Sequence, residues 1–174
     1  DMFIVVTGGS GSGKSAYAER RIAELSADDR FYIATMENRD EESRKRIARH
    51  RNMRADKHFT TVECPRDLQD VSLSGNATVL LECMSNLCAN ELFAGPLMQD
   101  PEETARKIIA GVEKLCGQVK NLVIVTNEVF SDGMQADPWT ESYLSCLGSI
   151  NRSIAGMADE VVEVVYSVPV FQKR

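Results

Sequence analysis

The sequence predicts an α/β fold, a mostly parallel sheet with helices on both faces. Three observations predict it. Five short apolar runs are spread along the chain, at residues 2–6, 31–34, 79–81, 122–125 and 161–165. Helical patterns fill the gaps between them. The first run ends in a glycine-rich loop and leads directly into a helix. Strands that alternate with helices form βαβ units, and such units build parallel sheets covered on both sides. The strand–loop–helix opening makes the fold P-loop NTPase-like.

Each run reads as a strand because it is short, rich in branched side chains and lacks apolar–polar alternation. That pattern suits a strand buried on both faces. The first helix follows Lys14, with Tyr17, Ala18, Ile22 and Leu25 at helical spacing. Asp100-Pro101-Glu102-Glu103 starts another with a cap residue, an early proline and acids at the positive end of the dipole. Its apolar face carries Ile108, Ile109, Val112, Leu115, Cys116 and Val119. Asp137-Pro138 opens a further helix in the same way, with Tyr143, Leu144, Leu147, Ile150, Ile154 and Met157 on one face. Residues 72–76 read as a polar loop.

The chain of 174 residues reads as a single nucleotide-binding domain over residues 1–174. Its 20 Lys and Arg against 26 Asp and Glu leave a net charge of -6, which argues against a general nucleic-acid binder. No apolar run approaches the roughly 18 residues a membrane span needs. The five cysteines, Cys64, Cys83, Cys88, Cys116 and Cys146, include no CxxC pair. They read as buried thiols of a reducing, cytoplasmic compartment rather than as a disulfide framework or a zinc site.

Gly8-Gly9-Ser10-Gly11-Ser12-Gly13-Lys14-Ser15 fits the pattern G-x-x-x-x-G-K-[ST]. Glycines let backbone N–H groups converge on phosphate oxygens, and the following helix adds its positive end. Lys14 is placed to reach the β- and γ-phosphates of a bound triphosphate, and the Ser15 hydroxyl to ligate Mg²⁺. A carboxylate at the end of a neighbouring strand usually completes the metal shell. Glu82, at the end of the run 79–81, is the first candidate, and Glu128, after residues 122–127, the second.

Asp40 to Arg51 reads as an unusual helix. Acids gather at its start, bases follow, and Ile47 and Ala48 are nearly its whole apolar content. Such a helix gains little from burial and is expected to be exposed. His50 lies between Arg49 and Arg51, so neighbouring positive charge should lower its pKa. Two readings stand side by side, a surface histidine and a neutral nucleophile flanked by phosphate-holding arginines. His58 reads as incidental.

These features together resemble the bifunctional adenosylcobinamide kinase / adenosylcobinamide-phosphate guanylyltransferase family of cobalamin biosynthesis. The resemblance rests on Thr7-Gly8-Gly9 with Ser12-Gly13-Lys14-Ser15, on Tyr32-Ile33-Ala34-Thr35, and on Arg46-Ile47, His50 and Arg54. Phe59, Thr61 and Glu63 continue it, then Leu80-Leu81-Glu82-Cys83 with Asn90, and Val125-Thr126-Asn127-Glu128-Val129. Gly148, Asn151, Ala155, Ala158-Asp159 and Pro169 complete it. The loop is shared by many families, whereas the His50 segment with Thr126-Asn127-Glu128-Val129 is far more specific.

The resemblance implies two reactions on one chain. The γ-phosphoryl of ATP or GTP moves to the aminopropanol hydroxyl of adenosylcobinamide, and GMP from GTP then passes through a guanylyl-histidine to the new phosphate. His50 takes the position of the family's histidine. Glu63, Glu82, Thr35 and the stretch from Arg51 to Arg54 fall where the family contacts the guanosine nucleotide. The family is also known as a homotrimer with an extended histidine helix. Gly11, Ala55 and Phe130 depart from its usual residues, as does the segment from Ser131 to Asp137. A P-loop kinase of another small molecule, or a nucleotide-dependent switch module, is the competing reading of the residues.

Overall fold

In a computed structural model the described residues are 1–26, 29–128 and 137–174. Val129 and Phe130 of the sequence argument, and the segment 131–136, lie outside them. The chain forms a seven-stranded sheet in the order β3-β2-β4-β5-β1-β6-β7. The strands are β1 (Met2–Gly8), β2 (Arg30–Ala34), β3 (Phe59–Glu63), β4 (Thr78–Glu82), β5 (Asn121–Asn127), β6 (Glu160–Val165) and β7 (Val168–Lys173). All neighbouring pairs are parallel except β6–β7, an antiparallel hairpin.

The five expected strands are present, and two more extend the sheet at its edges. Both additions evade an apolar-run criterion for the same reason. β3 reads Phe-Thr-Thr-Val-Glu and β7 Val-Pro-Val-Phe-Gln-Lys. Edge strands have one unpaired side and tolerate polar residues and proline that a central strand would not.

The helices are α1 (Lys14–Leu25), α2 (Glu41–Ala55), α3 (Met84–Leu92), α4 (Pro101–Gln118) and α5 (Pro138–Met157). A short 3-10 turn spans Leu68–Asp70. α3 is an addition to the sequence reading, being almost wholly buried and so without a polar face to mark its period. The sheet divides the core in two. Phe3, Val5, Leu81 and Ile124 face one side, with Leu87 of α3, Ile108 of α4 and Ile150 of α5. Ile4, Val6, Leu80 and Val125 face the other, with Tyr17, Ala18 and Ile22 of α1. Helices therefore cover both faces, as a parallel sheet requires.

α2 runs one turn past the expected end at Arg51. Asp40 caps it, its carboxylate accepting from the Ser43 amide at 2.7 Å. Arg54 is its only buried residue. The five cysteines are free thiols, but only Cys64, Cys88 and Cys146 are buried as expected, Cys83 and Cys116 being partly exposed at the cavity and on α4. Among the described residues no helix is long and apolar enough to cross a membrane.

Candidate active site

The sheet order decides what the P-loop faces. β1 lies between β5 and β6, while the chain leaving α1 crosses to β2, beyond β4. Crevices in such sheets open at the carboxyl ends of the strands, where the order reverses. Gly8 pairs with Asn127 of β5, and Ala34 of β2 with both Glu63 and Glu82. The ends of β1, β2, β4 and β5 thus surround one mouth.

A cavity of about 230 Å³ opens there, and Lys14, Ser15, Thr35, His50, Arg54 and Glu82 line it together. Six residues singled out in the sequence, from four separate segments, meet in one place. Tyr32, Ala34, Met36, Cys83, Asn86, Val125 and Asn127 complete the lining.

The Ser15 hydroxyl donates to Glu82 Oε1 at 2.5 Å. The structure therefore brings Glu82, rather than Glu128, to Ser15. A hydroxyl and a carboxylate oxygen converging on one point are hard donors of the kind Mg²⁺ takes from a protein, which usually supplies one or two oxygens beside substrate phosphates. Among the described residues no cluster of three or more His, Cys, Asp or Glu could hold a metal by itself. The residues present thus fit an ion shared with a triphosphate. Lys14 Nζ donates to the Gly9 carbonyl at 3.1 Å, folded over its own loop.

Glu128 instead meets Glu163 of β6. A hydrogen bond between the two carboxyls pushes the Glu128 pKa up to about 7, with burial and the Glu163 charge adding and Lys14 opposing. Two adjacent carboxylates cannot both ionise cheaply, so one holds a proton.

Tyr32 is the residue that sequence reasoning missed. Its hydroxyl donates to Glu82 Oε2 at 3.0 Å, so both oxygens of that carboxylate are held. Burial, with the Glu82 charge behind it, raises the phenol well above its ordinary value and keeps it a donor. The Arg54 guanidinium lies over the Tyr32 ring, 4.1 Å from the centroid. A chain of contacts therefore links α2 to the P-loop, from Arg54 through Tyr32 and Glu82 to Ser15. Its signal in the sequence was its place in the Tyr32-Ile33-Ala34-Thr35 stretch of the resemblance, which gave it no role at the site.

Arg54 is 7% exposed, its Nε donates to Thr61 Oγ1 at 3.3 Å, and its Nη2 has no hydrogen-bond partner among the described residues. A buried guanidinium with a free donor at a cavity is prepared for an anion. His50 is exposed on the same helix. Burial first, then Arg54, Arg49 and Arg46, hold its imidazole below the ordinary histidine range, so the neutral form prevails near neutral pH.

The other sequence-predicted residues take varied places. Gly8 to Ser12 form the loop outside the cavity lining. Arg51 pairs with Glu63 at 3.1 Å, beyond that lining but beside it on α2 and β3. Thr35 lines the cavity with its hydroxyl turned into the fold. Its Oγ1 accepts from the Cys83 amide at 3.1 Å and lies 3.3 Å from the Glu82 carbonyl, which fixes the end of β4.

With this geometry in hand, comparison with known proteins decides the family. The model of one family, described as cobinamide kinase / cobinamide phosphate guanyltransferase, matches residues 4–171. The chain belongs to this family. A bifunctional adenosylcobalamin biosynthesis protein of Salmonella typhimurium is 33% identical, covering 97% of this chain and 98% of its own. A protein of the same description from Escherichia coli is also 33% identical, with 97% and 98% covered. The family is one of transferases that combine kinase and guanylyltransferase activity. Among solved structures, a type III secretion ATPase superposes with a TM-score of 0.53 at 15% identity, covering 93% of this chain and 50% of that one. That likeness supports the P-loop fold and nothing finer.

Proposed function

We propose that this chain phosphorylates adenosylcobinamide with ATP or GTP, and then transfers GMP from GTP through a guanylyl-His50 intermediate to give adenosylcobinamide-GDP. The observation that carries the reading is the meeting of His50 with Lys14, Ser15 and Glu82 around one cavity. A P-loop alone supports phosphoryl transfer. A neutral histidine at the same mouth adds a nucleophile.

In the first reaction the acceptor hydroxyl oxygen bonds to the γ-phosphorus, the bond to the β-phosphate oxygen breaks, and the hydroxyl proton is lost. The backbone of Gly8 to Gly13 and Lys14 hold the phosphates. In the second, an imidazole nitrogen of His50 attacks the α-phosphorus of GTP and pyrophosphate leaves. The substrate phosphate then attacks the same phosphorus and frees His50. Arg54, with its unpaired donor, steadies the phosphate near His50, while Arg51, Glu63 and Thr35 border the guanosine. Ser15 and Glu82 are the residues proposed to hold Mg²⁺, which when bound supplies charge stabilisation on phosphate oxygens.

The remaining finer readings go with this one. The acting assembly is a homotrimer in the cytoplasm, and the corrinoid and its phosphate are the acceptors. The exposure of α2, including its Met53, is what supports an arrangement reaching beyond the single chain.

The test is incubation with GTP labelled at the α- or the γ-phosphate, followed by denaturation. Label from the α position alone, lost in acid, kept in base and absent from His50→Ala, is expected. His50→Ala should retain kinase activity, whereas Lys14→Ala should lower both transfers by about a hundredfold or more. Unaltered α-labelling of the His50→Ala protein would remove His50 from the mechanism.

A further inference from the structure

The turn joining β6 to β7 takes no part in the chemistry above, yet it is built against the P-loop. Its two residues, Tyr166 and Ser167, both have left-handed backbone, with φ of 48° and 64°. Two-residue hairpin turns of this kind favour Asn-Gly, and a tyrosine in that conformation is uncommon. The surroundings hold it there. The Ser167 amide donates to the Ser12 carbonyl at 2.7 Å. A Cβ on Gly13 would stand 2.8 Å from Ser167 Oγ, and one on Gly8 2.7 Å from the Val164 carbonyl oxygen. Gly13, with φ of 93°, thus packs directly against the turn, whereas Gly8 meets Val164 of β6 and the loop's own Ser12.

The result is an aromatic side chain, 90% exposed, carried on a turn that is tied to the phosphate cradle through Ser167. Among the described residues its ring makes no hydrogen bond, ring contact or cation–π contact. The left-handed backbone belongs to the turn that bonds Ser12, but the exposed ring adds no packing to it, and a tyrosine kept there points to a site.

The direction of a bound triphosphate adds to this. Ser15 and Glu82 mark the metal end, on the β4 side of β1, and the Tyr166 turn stands on the β6 side. A triphosphate with its terminal phosphate at Lys14 and Ser15, running back along the loop towards Ser12, delivers its nucleoside to that turn. The guanylylation proposed above instead sets the α-phosphate beside His50, with the nucleoside towards α2. In this arrangement the two transfers use different nucleotide poses.

We propose that Tyr166 is a stacking platform for the base of the nucleoside triphosphate that donates its γ-phosphoryl, a second nucleobase subsite across the P-loop from His50. The proposal rests on the reading that the Gly8–Ser15 loop cradles the triphosphate. A single aromatic face binds any purine through its π-face, without reading hydrogen-bond donors and acceptors. The subsite therefore accepts ATP and GTP alike, while selection for guanosine resides on the α2 side.

The experiment compares Mg-ATP with inorganic tripolyphosphate, which reports on the cradle alone, in the wild type, Tyr166→Phe and Tyr166→Asn. Asparagine adopts left-handed backbone readily, so the variant turn folds at least as well. Tyr166→Asn should weaken ATP binding and raise the kinase KM for ATP by about tenfold. Its tripolyphosphate affinity and its α-labelling by GTP should stay at the wild-type level, and Tyr166→Phe should behave as wild type. Equal ATP affinity in wild type and Tyr166→Asn would overturn the subsite. So would an equal loss for ATP and tripolyphosphate, since the turn would then only brace the loop. If the wild type bound neither probe, the cradle reading would fail first and the subsite with it.

Discussion

α2 and α4 begin with the same device and end in opposite roles. Asp40 accepts from the Ser43 amide at 2.7 Å, and Asp100 from the Glu103 amide at 2.9 Å. Both helices place acids in the first turn. α4 then buries Thr104, Ala105, Ile108, Gly111, Val112 and Leu115, while α2 buries Arg54 alone. α4 is a wall of the core, held by area removed from water. α2 is held by capping, by the Arg51–Glu63 pair and by the Arg54–Tyr32 contact. Exposed ion pairs contribute little to stability, so α2 adds little to the fold and carries the histidine instead.

The largest effect expected from this contrast lies in the core. Ile108→Ala should cost about 2–5 kcal/mol in denaturant unfolding, as a buried side chain replaced by a cavity does. Ile47→Ala on α2 should stay within about 0.5 kcal/mol. Comparable losses at the two sites would break the comparison.

Arg54→Met tests the other side of it. Unfolding should move little, because the buried cation is replaced by an apolar side chain of similar length. Guanylylation should fall at least about tenfold, as the charged contact proposed for the phosphate is removed. The pH profile carries the sharper readout. Arg54 helps to hold the His50 pKa down, so its removal should raise that pKa and shift the acid limb of guanylylation to higher pH. An unshifted limb would mean that Arg54 does not act on His50. The linked effect on stability has a definite sign. Between its depressed folded pKa and the ordinary value near 6.5, His50 is protonated more in the unfolded chain. Acidification through that window therefore destabilises the wild type slightly, and less so the variant.

The smallest effects belong to the caps. Asp100→Ala should lower global stability by about 0.5–2 kcal/mol. Asp40→Ala should leave global unfolding nearly unchanged and show itself in faster hydrogen exchange at the Ser43 amide. It should also weaken α-labelling, because the helix that carries His50, the proposed nucleophile, frays. A global loss from Asp40→Ala as large as that from Asp100→Ala would mean that α2 belongs to the cooperative core.

Much of this was legible in the chain itself. The P-loop, the starts of α4 and α5 and the exposure of α2 follow from signals carried within a few residues, namely glycine spacing, Asp caps and hydrophobic period. Less legible were β3, β7 and α3. Edge strands need not be apolar, and a helix buried on nearly all sides shows no amphipathic period. The choice between Glu82 and Glu128 was open for a related reason, since both end apolar runs and only pairing order separates them.

By itself the sequence determined that a phosphate cradle exists, where it lies, and that a polar helix with His50 stands apart from the core. The tertiary structure decided what meets it. Ser15 and Glu82 are 67 positions apart, Tyr32 and Glu82 are 50 apart, and both pairs touch because β4 is inserted between β2 and β5. The placing of Ser167 against Ser12, and with it the Tyr166 turn, likewise depends on β6 pairing with β1. Caps and loops are local equilibria of a few residues, whereas convergence at the mouth depends on strand order, which no short segment encodes.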